Sequence, residues 1–187
     1  MTVRVLFVCS GNICRSPLGA QLLVARLGQD APAFVVESAG TIADDDAPMD
    51  GAAAEQSLRL GGAPSSHRSR YLTAPIVESA DLVLTAERSH RAAVVSLAPR
   101  ATKRAFTIKQ FARVLDGLEP GDLAGVDSGA ALVERIARLR GAVAPPADPA
   151  DDDVDDPYRR SEDTHRRVAD EIDAAVGSIA DALRAVR

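Results

Sequence analysis

The chain has 187 residues, 46% of them hydrophobic and 26% charged, which suits one domain with a sizeable buried core. A net charge of −5 and only 3% aromatic residues, with no Trp, speak against nucleic-acid binding, which draws on basic faces and stacking platforms. No apolar run approaches the roughly 20 residues of a membrane span. Arg4 interrupts any signal-peptide pattern, and two cysteines make no secreted disulfide framework, so the expected location is cytoplasmic.

Val3 to Val8 (VRVLFV) is apolar and β-branched without polar alternation, the pattern of a strand covered on both faces. It runs into a polar loop, and Ser16-Pro17 then supplies a helix start, Ser as a cap and Pro in the first turn. Ala20, Leu23, Val24 and Leu27 follow at helical spacing. Ala33 to Ser38 predicts a second strand, and MDGAAAEQSLRLGG a helix closed by Gly61-Gly62. Ala80 to Thr85 predicts a third strand, 87–97 a helix, and Lys103 to Phe106 a weaker fourth strand.

Further on, an amphipathic helix is expected between a Ser128 cap and a Gly141 stop, within an insertion around residues 117–150, where it reads as a surface decoration rather than an oligomer contact or a lid. The Pro- and Asp-rich stretch from 141 to 160 reads as a loop, most of its aspartates solvated. The last helix, from Ser161, places Val168, Ile172, Val176, Ile179, Leu183 and Val186 on one face. Strands alternating with helices imply an α/β fold: a doubly wound, four-stranded parallel sheet with helices on both faces and ligands bound where strands end.

The loop between the first strand and helix carries the chemistry. Cys9 and Arg15 bracket Ser10, Gly11, Asn12, Ile13 and Cys14. So short a segment, ending at a helix N-terminus, can curl until its backbone N–H groups converge on an anion. Gly11 and Asn12 tolerate the left-handed backbone that such a curl needs. Arg15 adds a bidentate fork for phosphate oxygens. The same positive field favours the thiolate of Cys9, the form that attacks phosphorus in line, and Ser16 can donate its hydroxyl to that sulfur. Cys14 reads either as a small apolar filler or as a partner for a reversible disulfide sparing Cys9 from over-oxidation.

The whole string, C-x-G-N-x-C-R-S-P near the N-terminus after a strand, resembles the low-molecular-weight protein tyrosine phosphatases. The resemblance covers Val3 to Asp116 and Asp156 onward. It implies hydrolysis of phosphotyrosine in proteins, or of small aryl phosphates, through a phospho-cysteine, with no metal or other cofactor. It also implies a general acid at Asp156, in Asp156-Pro157-Tyr158; by loop composition alone Asp153 and Asp155 are equal candidates. ESAG and SSHRSRYL resemble family segments, which makes Ser38 and His67 members of a network holding Asn12. His90 and His165 are expected at the surface.

In the substrate cleft the family pattern is incomplete. Asp44 stands near the place of an aromatic wall, and Arg159 follows Tyr158 where many relatives carry a second aromatic.

Two rivals remain. One is an arsenate reductase of the same fold using a low-molecular-weight thiol, since the thioredoxin-linked type needs further cysteines. The other is a non-catalytic phosphotyrosine-binding module, which the joint presence of Cys9, Arg15, Ser16 and Asp156 opposes. No Walker, dinucleotide, zinc-ligand or G-x-S-x-G pattern is present. The oligomeric state is not legible in the sequence.

Overall fold

A computed structural model describes residues 2–119 and 121–186. Strands β1 (Val3–Cys9), β2 (Phe34–Gly40), β3 (Leu82–Thr85) and β4 (Ala105–Thr107) form a parallel sheet in the order β2-β1-β3-β4. The register pairs Cys9 with Gly40, Val8 with Thr85, and Thr85 with Thr107, so the four strands end along one edge. The chain steps from β1 to one neighbour, β2, and then back across to the other, β3. That reversal opens a crevice at the strand ends, beside Cys9.

β1 is buried on both faces, and its side chains divide by period two. Val5, Phe7 and Cys9 join the larger core with α1 (Arg15–Leu27), α5 (Ile108–Asp116) and α7 (Glu162–Ala185). Leu6 and Val8 face the smaller core, with Val77 of α3 (Ala74–Glu78) and Val94 of α4 (Arg88–Leu97). Gly19 lets α1 press onto β1: a Cβ there would lie 2.7 Å from the Phe7 ring. Phe7 has no exposed surface, and truncating such a side chain to Ala costs about 3–5 kcal/mol.

The expected strands and helices all occur, with shifted ends. β2 runs on through Gly40, and β4 starts at Ala105 because Pro99–Lys103 forms a 3₁₀ turn. The expected helix at 49–62 is α2 (Gly51–Arg59), capped by Asp50, whose carboxylate accepts from the Ala53 N–H. α5 was not anticipated. It buries Ile108, Phe111, Ala112 and Val114, and Phe111 meets Phe106 edge-on at 5.0 Å.

The helix of the connecting segment, α6 (Gly129–Leu139), is no surface decoration. Leu132 and Ile136 are fully buried in the larger core, and a Cβ on Gly129 would collide with Val3 at 2.5 Å. Its apolar face closes the core at the edge of the sheet opposite the strand ends.

Most aspartates of the acidic stretch are solvated, as expected: Asp148, Asp151, Asp155 and Asp156 are exposed, Asp153 is half-buried and Asp152 is buried. Arg113 grips Asp152 with two hydrogen bonds, Arg88 holds Asp153, and Arg167 holds Asp155. These tethers fix the path that delivers residues 154–158 to the strand ends.

Candidate active site

Between β1 and α1 the chain curls so that its carbonyls point outward into partners. The Cys9 and Ser10 carbonyls accept from the N–H groups of Thr41 and Ile42, and the Ile13 carbonyl from that of Asp50. The Asn12 carbonyl meets His67 Nε2 at 2.7 Å. In contrast, the N–H groups of Gly11 through Arg15 have no acceptor among the described residues. Backbone donors are rarely left unpaired unless water or a ligand takes them, and these lie at the positive end of α1. Asn12 adopts the left-handed conformation, with φ 53°, that turns the loop back on itself.

Gly40 makes this curl possible. A Cβ there would sit 2.4 Å from the Ser10 carbonyl oxygen and 2.9 Å from the Asn12 nitrogen. Only a residue without one lets β2 run so close beneath the loop.

The side chains are held as firmly. Cys9 Sγ lies 3.0 Å from Ser16 Oγ, both of them buried. Asn12, fully buried, donates to Ser16 Oγ at 2.8 Å and Ser38 Oγ at 2.9 Å and accepts from the Arg70 N–H at 3.0 Å. The structure thus brings Ser38 and His67 onto Asn12, one on its side chain and one on its carbonyl. Ser16 does not cap α1; the N-terminal residue there is Cys14, with no side-chain cap, and the Ser16 hydroxyl turns to sulfur instead. Cys9 and Cys14 are both free thiols. Cys14 packs in the core, where burial first, and then Asp50, push its thiol well above the ordinary range.

Arg15 is 2% exposed, and its guanidinium organises the far wall. It donates to Glu87 and to the Val154 carbonyl, the latter at 2.9 Å, and its second terminal nitrogen lies 3.3 Å from Asp156 Oδ1. Burial alone would raise the Glu87 carboxyl, but the hydrogen bond and charge of Arg15 outweigh it and the net shift is downward. Among the three candidate aspartates, geometry separates Asp156. Asp153 and Asp155 are tied to Arg88 and Arg167, whereas Asp156 faces Arg15.

Glu87 and His90 were not anticipated at the site. His90 is buried, not at the surface, and its Nε2 meets Ser10 Oγ at 2.8 Å. Burial lowers its proton affinity, with Glu87 pulling it up and Arg15 down. The signal for both was position: they follow the end of β3, where parallel sheets place ligands. His165 is also buried, 3.9 Å from Asp50.

The rim is mixed. Tyr158 is exposed, with the Arg159 guanidinium 5.0 Å over its ring. Ile42, strongly exposed, stands beside Ser10 through its backbone bond. The Asp44 carbonyl accepts from Ser69, and Asp45 binds the Tyr71 N–H, which pins the acidic turn to the following segment.

A thiol, an amide-lined loop and a buried arginine at the ends of parallel strands make a cysteine-based phosphate site on a doubly wound α/β scaffold. The family model for low molecular weight phosphotyrosine protein phosphatase matches residues 4–122. A protein-arginine-phosphatase of Geobacillus stearothermophilus is 36% identical over 138 residues, covering 74% of this chain and 88% of that protein. The low molecular weight protein-tyrosine-phosphatase Etp of Escherichia coli (strain K12) is 37% identical over 107 residues, covering 57% of this chain and 70% of its own.

Among solved structures, the YwlE arginine phosphatase from Geobacillus stearothermophilus superposes with a TM-score of 0.71 at 26% identity, covering 98% of this chain and 94% of that one. The tyrosine phosphatase Wzb from Escherichia coli K30, in complex with sulphate, gives 0.68 at 25% identity, covering 97% of this chain and 98% of its own. The chain belongs to the low molecular weight phosphotyrosine protein phosphatase family, and it is a cysteine-dependent phosphatase. Asp156 lies beyond the span of the family model.

Proposed function

We propose that this phosphatase hydrolyses phosphotyrosine in proteins, with Cys9 as nucleophile, Arg15 as phosphate clamp and Asp156 as general acid and base. The N–H groups of residues 11–15 and the Arg15 fork take the phosphate oxygens and stabilise the charge spreading over them in transfer. Cys9 Sγ bonds to phosphorus as the bond to the tyrosyl oxygen breaks, and Asp156, in its acid form, gives that oxygen a proton. Water then loses a proton to the Asp156 carboxylate and attacks phosphorus. The sulfur leaves as a thiolate that receives the Ser16 hydroxyl hydrogen bond. The sum is ester plus water to phenol plus phosphate.

The observation that carries this reading is the 3.3 Å approach of Asp156 to Arg15, the buried arginine at the end of the loop that begins with Cys9. Ester hydrolysis needs a proton donor at the leaving oxygen, whereas arsenate reduction has no phenol to protonate. Exposed Ile42 and the Tyr158–Arg159 stack offer an apolar rim to an aryl ring. Phosphoarginine is the second reading, because the relatives named as arginine phosphatases match over most of this chain. Matched peptides carrying phosphotyrosine or phosphoarginine separate the two. The higher kcat/KM belongs on phosphotyrosine, and preference for phosphoarginine reverses the choice.

A further inference from the structure

Behind the loop, α1, β2 and the segment from Gly61 to Arg70 enclose a groove of about 510 Å³, a volume within the range of small-molecule sites. None of residues 9–15 lines it. Yet three of its lining residues hold Asn12: Ser38 on the side-chain amide, His67 on the carbonyl, and the Arg70 N–H on the side-chain oxygen. Asn12 in turn fixes the left-handed turn of the loop and the Ser16 hydroxyl beside Cys9. The groove therefore touches the back of the machinery whose front binds phosphate.

Its chemistry is two-sided. Ala20 and Val24 of α1 and Val36 of β2 give it an apolar wall, and Val24 is 45% exposed. Arg68 and Arg70 also line it, the Arg70 guanidinium lying along β2 on the Ser38 carbonyl. Arg70 pairs with Glu37, a carboxylate already shared with Arg4. Arg68 bonds only to the carbonyls of Ser65 and His67 and has no carboxylate partner among the described residues. The groove thus holds an excess of guanidinium charge next to uncovered apolar surface.

We propose that this groove is an allosteric site for a small organic carboxylate, its head on Arg68 and its apolar body over Ala20, Val24 and Val36. Its occupancy shifts Ser38, His67 or the Arg70 backbone and thereby alters how tightly the loop holds phosphate. The inference rests on reading the loop as the phosphate site. By linkage, phosphate in the loop must change affinity for the carboxylate by the same factor, with about 5-fold the lower end of ordinary couplings.

The test is a titration of ¹⁵N-labelled protein with 4-phenylbutyrate and with its neutral amide, in the absence and presence of saturating inorganic phosphate. Expected are saturable amide shifts at Val24, Val36, Ser38 and Arg68 for the acid. They weaken strongly in Arg68→Ala and Val24→Asp, and the Kd changes about 5-fold or more when phosphate is bound. Absent shifts, equal binding of the amide, shifts confined to residues 9–15, or a Kd indifferent to phosphate overturn the proposal. No turnover is read, so such a failure leaves the phosphatase mechanism standing. Loss of phosphate-induced shifts at residues 9–15 is what strikes at the loop itself.

Discussion

Gly40→Ala isolates the loop's geometry from its chemistry, because Gly40 carries no functional group. The added Cβ falls 2.4 Å from the Ser10 carbonyl oxygen, 2.8 Å from Ala43 Cβ and 2.9 Å from the Asn12 nitrogen. Gly40 has little room to retreat, since its N–H bonds to the Arg70 carbonyl and its own carbonyl accepts from Leu72. Restoring ordinary contact with Ser10 takes about 1 Å, and because strand and loop are both hydrogen-bonded the loop shares the displacement. A displacement of that size at reacting groups costs on the order of 10²-fold in rate. Overpacking of this kind destabilises by about 1–3 kcal/mol, so the fold persists.

Kinetics on 4-nitrophenyl phosphate, beside urea unfolding, measure both effects. Gly177→Ala is the control. Its Cβ meets nothing within 4 Å inside α7, so it gains about 0.5–1 kcal/mol of stability with unchanged rate. Wild-type kcat/KM in a folded Gly40→Ala protein refutes the claim that β2 supports the loop by close approach.

Cys9→Ser abolishes turnover but keeps affinity for inorganic phosphate, measured by calorimetry; retained turnover removes Cys9 as nucleophile. Asp156→Ala slows hydrolysis by about 10²–10⁴-fold for poor leaving groups and much less for 4-nitrophenol, and an equal loss across leaving groups contradicts an acid role. Burial lowers the proton affinity of His67 and His90 below that of the unfolded chain, so the unfolded state binds more protons in acid. Stability then falls as pH drops from about 7.5 to about 5.5, and His90→Asn flattens the slope; a urea midpoint that rises over that interval contradicts it. Glu87, shifted downward by Arg15 against its burial, adds a further loss that begins as pH falls through the ordinary carboxylate range and continues toward its lower folded value.

The loop, with Cys9 at its start and Arg15 at its end, was legible because it lies within a short string, where residue type and spacing carry the chemistry directly. Asp156 was legible only through Pro157 and Tyr158. What distinguishes it physically is that Arg88, 65 residues before Asp153, and Arg167, 12 residues after Asp155, occupy its neighbours. Glu87 and His90 were missed because their signal was only their place after β3, and nothing near them names Arg15 or Ser10 seventy or more residues earlier. Ser16 has two legitimate uses for its hydroxyl, and only the fold brings sulfur close enough to decide between them. The burial of α6 depended on Val3 and α5, partners that its own amphipathic pattern does not name. By contrast, the spacing of Ile108, Phe111, Ala112 and Val114 was available, and α5 was overlooked rather than hidden.

The most direct measurement is mass spectrometry of acid-quenched Asp156→Ala protein after mixing with 4-nitrophenyl phosphate, whose leaving group departs without an acid while the loss of the base slows breakdown of the intermediate. The account predicts one phosphoryl group on the peptide containing Cys9, absent when Cys9→Ser is combined with it. Phosphate found on Cys14 or a histidine, or turnover with no covalent species at any quench time, contradicts it.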